Sequence, residues 1–117
     1  MKHPVYLDYA ATTPLDARVL ASMQPYLTAV YGNPSSLHCF GQAAHRAVTR
    51  AREQTAALIG ASPAEVFFTS GGTESDNWAL RSLAEGRRKK GCRHIVTSAV
   101  EHPAVRETCR DLAAHGY

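Results

Sequence analysis

The 117-residue chain has few cysteines and no long apolar run. Its three cysteines, Cys39, Cys92 and Cys109, are an odd number without CxxC spacing, which argues against a disulfide framework and against a zinc knuckle. No apolar run approaches membrane-spanning length, and Asp8 would interrupt the apolar core of a secretory signal. We therefore expect a cytoplasmic protein in a reducing setting, with no metal site and no membrane partner.

Neither positive nor negative charge is in large excess, because the formal net charge is only +3. Part of that excess comes from one basic tract, Arg87 to Lys90. Lys and Arg favour a helix C-terminus, Gly91 follows as a stop signal, and no aromatic residue interleaves the tract. We therefore interpret the tract as a solvated helix end and expect no nucleic-acid partner. The remaining composition, 44% hydrophobic and 20% charged, is that of an ordinary globular domain.

Four helices are predicted from apolar spacing and from helix start and stop signals. They run from about Leu15 to Val30, from His38 to Ile59, from about Thr73 to Lys90 and from about Pro103 to His115. Pro25 removes one backbone donor, so the first helix should kink or restart near Gln24. Gly60 should end the second helix.

Two short segments have the composition of strands. Val66 to Thr69 is apolar, aromatic and too short for a helix, and His94 to Ser98 is the second convincing strand. The order from residue 64 onward is therefore β-α-β-α. This alternation predicts an open, mostly parallel α/β sheet, with ligand sites at the carboxyl ends of its strands.

The string Ser70-Gly71-Gly72-Thr73-Glu74-Ser75 follows a predicted strand and opens a predicted helix. Backbone N–H groups and the helix dipole converge on an anion at such a junction, and phosphate is its natural ligand. The string matches neither GxxxxGK[ST] nor GxGxxG, so it specifies neither a mononucleotide nor a dinucleotide. Taken alone, these residues leave two interpretations open: a phosphate site, or a tight turn with Thr73 as helix cap.

His102, in Glu101-His102-Pro103, comes just after the second predicted strand. It should therefore open toward the same edge of the sheet as Thr73. A histidine there can serve as acid, base or stacking surface, because its pKa lies near neutrality. Position alone favours the other interpretation, in which the start of the next helix satisfies His102.

Four strings in this chain resemble cysteine desulfurases, in that family's order and approximate spacing. They are YLDYAATTP at 6–14, YGNPSSLH at 31–38, FTSGGTESDN at 68–77 and SAVEHPAV at 98–105. This family is the class V aminotransferase branch of the fold type I pyridoxal-phosphate enzymes. The resemblance implies an α/β fold, of which this chain would be the N-terminal arm and helices and the start of the large cofactor-binding domain.

The resemblance also implies roles for individual residues. Gly72 and Thr73 would hold the phosphate of pyridoxal 5'-phosphate from the helix N-terminus. His102 would lie over the pyridine ring of the cofactor and act in proton transfer, which favours a catalytic role over the helix-start interpretation. The arm from Tyr6 to Pro14 and the loop from Gly32 to His38 resemble segments that border the substrate pocket and the subunit interface.

In such enzymes the cofactor is an electron sink, a protein thiolate takes sulfur from L-cysteine as a persulfide, and L-alanine is left. The resemblance therefore implies L-cysteine as substrate and a homodimer as the complete enzyme. It also implies a scaffold or carrier protein that accepts the sulfur for iron-sulfur cluster assembly and other sulfur transfer.

The family's cofactor lysine, pyridine-nitrogen aspartate, substrate arginine and sulfur-accepting cysteine all lie further along than residue 117. On this resemblance, residues 1–37 form an arm, a helix and a substrate-side loop, and residues 38–117 form an incomplete beginning of the large domain. We expect the 117-residue chain alone to be inactive. Two alternatives stay open: the related selenocysteine lyase, and a non-catalytic truncated or split-gene fragment.

Overall fold

The computed structural model describes residues 4–117. Over that range it contains four α-helices and one 3-10 helix, Pro63–Glu65, and no strand. The α-helices are α1 (Ala17–Thr28), α2 (Cys39–Ile59), α3 (Gly72–Arg88) and α4 (Pro103–Ala114). The chain divides into two compact units, of which the first ends at Val66 and the second is Phe67–Tyr117. None of the helices in the described range is long and apolar enough to cross a membrane.

The four predicted helices are confirmed, with boundaries within a few residues of the expected ones. α1 starts after Asp16, whose carboxylate accepts a 2.8 Å hydrogen bond from Arg18 N and so caps the helix. The expected restart near Gln24 is wrong, because α1 runs through Pro25 to Thr28. Pro25 removes only its own bond to the preceding turn, and Ala29 N closes the next turn on Pro25 O at 2.9 Å.

α2 ends where the sequence predicts, at Gly60. This glycine has φ 67° and ψ 28°, the left-handed conformation that L side chains rarely adopt. Ala61 N reaches back to Ala56 O at 2.9 Å, which satisfies one of the last carbonyls of the helix. The glycine therefore ends α2 by its backbone conformation.

In the first unit, the loop before α2 folds tightly onto the first turn of that helix. A Cβ on Gly41 would collide with Ser36 O and would lie 2.7 Å from Asn33 O, and Gly41 is buried. Gln42 Nε2 donates to Leu37 O at 2.9 Å and holds the end of the loop. The path of the loop therefore requires a residue without a side chain at position 41, as Gly41 provides.

In the second unit, α3 packs against α4. Small and apolar side chains form the contact, because Ala84, Ala104, Thr108 and Leu112 are the buried residues of these helices. Alanine at two of these positions lets the two helices approach closely. The N-terminal ends of α3 and α4 carry the predicted phosphate and histidine residues, so this packing positions the candidate site.

The two predicted strands, 66–69 and 94–98, are not strands in the described part of the chain. The backbone at Val66 is extended, with φ −101° and ψ 123°. A strand is defined by hydrogen bonds to a neighbouring strand, and the resemblance places the neighbours of both segments in later sequence. The predicted boundary between residues 1–37 and residues 38–117 stays a prediction, because it concerns the domains of the complete protein.

Candidate functional site

The turn before α3 presents open backbone donors. Gly71 is the N-cap residue and makes no side-chain cap hydrogen bond, so the interpretation of Thr73 as helix cap is wrong. The first bond of the helix runs from Ser75 N to Gly71 O at 3.1 Å, which leaves the N–H groups of Gly72, Thr73 and Glu74 outside the helical ladder. No atom lies within 4 Å of a Cβ built on Gly71 or Gly72. An anion can therefore approach this backbone closely.

The Glu74 carboxylate bonds back to Ser70 and closes the turn before α3. Its Oε2 accepts hydrogen bonds from Ser70 N and Ser70 Oγ, both at 2.7 Å. The bond from the Ser70 backbone, followed by that from the Ser70 hydroxyl, holds the pKa of Glu74 below its usual range. The carboxylate therefore stays ionised at neutral pH and remains turned toward Ser70. No role was predicted for Glu74, and the capping-box pattern does not describe this contact, because Ser70 lies four residues before Glu74 and the N-cap residue is Gly71.

Two hydroxyls fix the carbonyl of the same turn. Thr69 Oγ1 and Ser75 Oγ lie 2.6 Å apart, and each lies 3.2 Å from Gly71 O. One hydroxyl donates to the other, which leaves the second hydroxyl and Ser75 N as donors to Gly71 O, so the peptide unit that follows it is held in one orientation. That unit carries the N–H of Gly72, the first donor of the candidate anion site.

Thr73 is exposed, and within the described part of the chain its hydroxyl takes part in no hydrogen bond. It is therefore free to donate to a ligand. Its carbonyl is occupied, because it accepts from Asn77 Nδ2 at 2.9 Å. The residue thus has a restrained backbone and a free side-chain donor, as a phosphate ligand requires.

His102 caps α4, as the helix-start interpretation expects. Its Nδ1 accepts a 3.1 Å hydrogen bond from Ala104 N, and the residue is exposed. Because a backbone N–H donates to Nδ1, the neutral ring carries its proton on Nε2. In this capped state Nε2 can donate a hydrogen bond, but it has no lone pair to accept a proton. Proton uptake at Nε2 would require the ring to release Ala104 N and carry its own proton on Nδ1, so the cap and the proposed catalytic role use different states of the ring.

One side chain, Asn77, connects the two ends of the site. Its Nδ2 lies 2.9 Å from Thr73 O and 3.5 Å from Ala104 O, and its Oδ1 accepts from Thr108 Oγ1 at 2.7 Å. The first turns of α3 and α4 are thus joined through hydrogen bonds. No role was predicted for Asn77 or Thr108, because their contact spans 31 residues and no local pattern indicates it.

The residues at this site suit the phosphate end of an anionic cofactor. The exposed N–H groups of Gly72 and Thr73 and the free Thr73 hydroxyl are donors, and the N-terminal end of α3 carries a partial positive charge. The described residues include no group of three or more His, Cys, Asp and Glu side chains that could hold a metal ion. Cys39 and Cys92 are exposed and Cys109 is half-buried, all as free thiols. Gly72, Thr73 and His102 all lie in the second unit.

Comparisons with known proteins agree with these features. A family model described as aminotransferase class-V matches residues 5–117. The chain is 53% identical over 120 residues to the cysteine desulfurase IscS of Photorhabdus laumondii, covering 100% of this chain and 30% of that protein. It is 52% identical over 118 residues to the cysteine desulfurase IscS of Neisseria gonorrhoeae, covering 100% of this chain and 29% of that protein. The chain therefore spans about 30% of the length of these relatives.

Two solved structures are also similar. A NifS-like protein superposes with a TM-score of 0.89 at 45% identity, over 97% of this chain and 31% of that chain. DndA from Streptomyces lividans superposes with a TM-score of 0.79 at 49% identity, over 97% of this chain and 32% of that chain. The backbone described above thus follows the path of both solved proteins over nearly all of this sequence.

Proposed function

The chain belongs to the class-V aminotransferase family, and from that membership we propose that it is the N-terminal segment of a cysteine desulfurase. Its activity would be to take sulfur from L-cysteine as a protein persulfide and to leave L-alanine. The observation that carries this proposal is the identity of 52 to 53% to cysteine desulfurases over the whole chain. The open turn before α3 and the histidine at the start of α4 supply a site that suits it.

We propose that Gly72 and Thr73 bind the phosphate of pyridoxal 5'-phosphate. The two backbone N–H groups and the Thr73 hydroxyl would each donate to a phosphate oxygen, and the N-terminal end of α3 would add its partial positive charge. When bound, the cofactor supplies an electron sink for the substrate carbon. Glu74 would not compete for these donors, because its carboxylate is engaged by Ser70.

His102 is the proposed catalytic residue of this segment. Its Nδ1 accepts from Ala104 N, so the capped neutral ring carries its proton on Nε2 and can donate a hydrogen bond to a substrate from that atom. To accept a proton at Nε2, the ring would release Ala104 N and carry its own proton on Nδ1.

The finer features of the complete enzyme follow from the family. We propose a homodimer in the cytoplasm that passes sulfur to a scaffold or carrier protein for iron-sulfur cluster assembly. We also propose an α/β fold in which residues 66–69 and 94–98 become strands beside strands from the rest of the protein. The extended backbone at Val66 supports this proposal.

The experiment that tests the function uses a chimera in which this chain replaces the matching segment of the Photorhabdus laumondii relative. We expect the purified chimera to bind pyridoxal phosphate, seen by its visible absorbance. With L-cysteine and a thiol reductant that reduces the persulfide, it should release sulfide with one alanine per sulfur. A chimera that folds as the relative does but neither binds the cofactor nor releases sulfide would contradict the proposal. Preference for selenocysteine over cysteine would instead favour a selenocysteine lyase.

A further inference from the structure

The Asn77 amide uses every hydrogen-bonding group that it has. Nδ2 carries two hydrogens and faces two carbonyl oxygens, those of Thr73 and Ala104. Oδ1 faces two donors, the Thr108 hydroxyl at 2.7 Å and Arg81 Nε at 3.5 Å. Reversing the amide would place an oxygen against both carbonyls, so only one orientation satisfies the group. The side chain is therefore fixed at both of its ends.

The end of the network on α4 is protected from water. Thr108 is 3% exposed and Ala104 is 8% exposed, and Asn77 itself is half-buried. Thr108 Oγ1 also lies 2.7 Å from Ala104 O, so its single hydrogen can go either to this carbonyl or to Asn77 Oδ1. A buried polar group that loses its partner is not rehydrated without cost. The distance between the first turns of α3 and α4 is thus set by directional bonds as well as by packing.

The two ends of the network coincide with the two halves of the proposed site. Asn77 bonds to the carbonyl of Thr73, whose side chain is a proposed phosphate ligand. It also reaches the carbonyl of Ala104, whose N–H donates to His102 Nδ1. We propose that Asn77 and Thr108 are positioning residues that set the placement of His102 relative to the phosphate-binding turn. This proposal rests on the proposed function.

The physical reason is the rigidity of the ligand. The phosphate and the ring of pyridoxal phosphate are held at a nearly fixed separation by covalent bonds, so a side chain that acts at the ring must lie at a matching distance from the phosphate donors. A misplacement of about 1 Å can reduce a rate about a hundredfold. Packing of alanine surfaces alone permits small sliding movements that hydrogen bonds to Thr73 and Ala104 would prevent.

A second contact between the same helices provides a matched control. Arg81 and Asp111 form a 2.6 Å ion pair between α3 and α4, but their side chains are 48% and 43% exposed, and neither residue bonds to Thr73 or Ala104. Arg81 Nε also lies 3.5 Å from Asn77 Oδ1, whereas Asp111 itself has no bond to Asn77 or Thr108, so Asp111→Asn removes the charge of the ion pair and keeps every bonded atom of the Asn77 network.

The test compares four variants of the chimera. Thr108→Val removes the hydroxyl at constant shape, Asn77→Ala removes the amide, and Thr108→Ser and Asp111→Asn are the controls. We expect the first two to lower kcat about tenfold or more, with the KM for L-cysteine and the cofactor absorbance retained. Their solvent deuterium isotope effect on kcat should rise, because a misplaced His102 makes proton transfer slower. Thr108→Ser and Asp111→Asn should stay within about twofold of the parent chimera.

Three results would overturn the inference. If Thr108→Val and Asn77→Ala keep the parent kcat and isotope effect while the parent is active, the proposed function stands and the positioning role fails. If Asp111→Asn lowers kcat as much as they do, the network acts only through general stability of the α3 and α4 packing. A parent chimera without cofactor and without activity would remove the proposed function itself, and the inference with it.

Discussion

Arg81 Nη1 lies 2.6 Å from Asp111 Oδ2 and joins α3 to α4. The hydrogen bond from Arg81 holds the pKa of Asp111 below its usual range, with a further contribution from the charge of Arg81. Because the folded pKa is depressed, the pair stabilises the folded state above the unfolded pKa of aspartate, and this contribution disappears as pH falls through the folded pKa.

We therefore expect Asp111→Asn to lower the helix content of the second unit at neutral pH and to have no effect in strong acid, below about pH 2. Far-UV circular dichroism of parent and variant across this range measures the difference. Raising the salt concentration should shrink it at neutral pH, because both side chains are partly exposed. A difference that persists unchanged in strong acid would mean that the ion pair is not its cause.

Thr73→Ala in the chimera should weaken cofactor retention, because the variant loses the one free side-chain donor of the turn. A hydrogen bond to a charged group is worth roughly 1.5 to 3 kcal/mol, which corresponds to roughly a 10- to 100-fold increase in Kd. Titration with pyridoxal phosphate measures the change. Thr73→Ser keeps the hydroxyl and is the matched control. Equal affinity of the alanine variant and the parent would count against this phosphate site.

His102 caps α4 and is also the proposed proton-transfer residue, and two substitutions separate these roles. Asparagine can cap a helix but cannot transfer a proton near neutral pH, whereas alanine can do neither. We expect both variants of the chimera to retain the cofactor and to lose about a hundredfold or more in turnover. Only His102→Ala should also lose about 1 kcal/mol of stability from the missing cap.

The measurements are sulfide release and thermal unfolding of the same preparations. If His102→Asn keeps full turnover, the residue acts as a helix cap alone, and the interpretation based on position would be correct.

Substitution by alanine should change the stability of the protein in opposite directions at Gly60 and Gly86. Gly60 has φ 67° at the end of α2, so Gly60→Ala should destabilise the protein by about 1 to 2 kcal/mol. Gly86 lies inside α3 with no atom within 4 Å of a built Cβ, so Gly86→Ala should stabilise it by about 0.5 to 1 kcal/mol. Denaturant unfolding of both chimera variants compares them, and effects of the same sign would contradict the assignment.

The sequence predicted the helices and their ends, which depend on residues close to one another along the chain. α2 and its end at Gly60 follow from apolar spacing and from one glycine, and α4 follows from Pro103 at its first turn. The predicted strands at 66–69 and 94–98 are not formed in the described residues, because a strand requires hydrogen bonds from segments far away in sequence. The same reason explains why the bond between Asn77 and Thr108 could not be found without the structure.

The candidate site was predicted in part. The string from Ser70 to Ser75 indicates an anion site by its glycines and its place before a helix, and the structure adds that Gly71 lacks a side-chain cap. The residue roles at Gly72, Thr73 and His102 came from the resemblance to a family, and they stay predictions until the variants are measured.

The last prediction concerns the 117-residue chain by itself. Its core consists of small residues, and large apolar side chains are exposed in both units, such as Leu58 at 85%, Phe67 at 62% and Val96 at 86%. Exposed apolar surface of this kind normally marks a binding surface or an aggregation risk. A core this small provides little hydrophobic stabilisation against the entropy of ordering the chain. We therefore expect the isolated chain to unfold with low cooperativity and to bind hydrophobic dyes before unfolding.

We also expect the isolated chain, mixed with pyridoxal phosphate and L-cysteine, to release no sulfide, since it spans only about 30% of the length of its relatives. Lys89 and Lys90 are exposed and could react with the cofactor aldehyde nonspecifically. Borohydride trapping with peptide mapping identifies such adducts. The chimera, assayed in parallel, is the positive control. A sharp unfolding transition together with cysteine-dependent sulfide release from the 117-residue chain would show that this segment folds and acts without the rest of the family's fold.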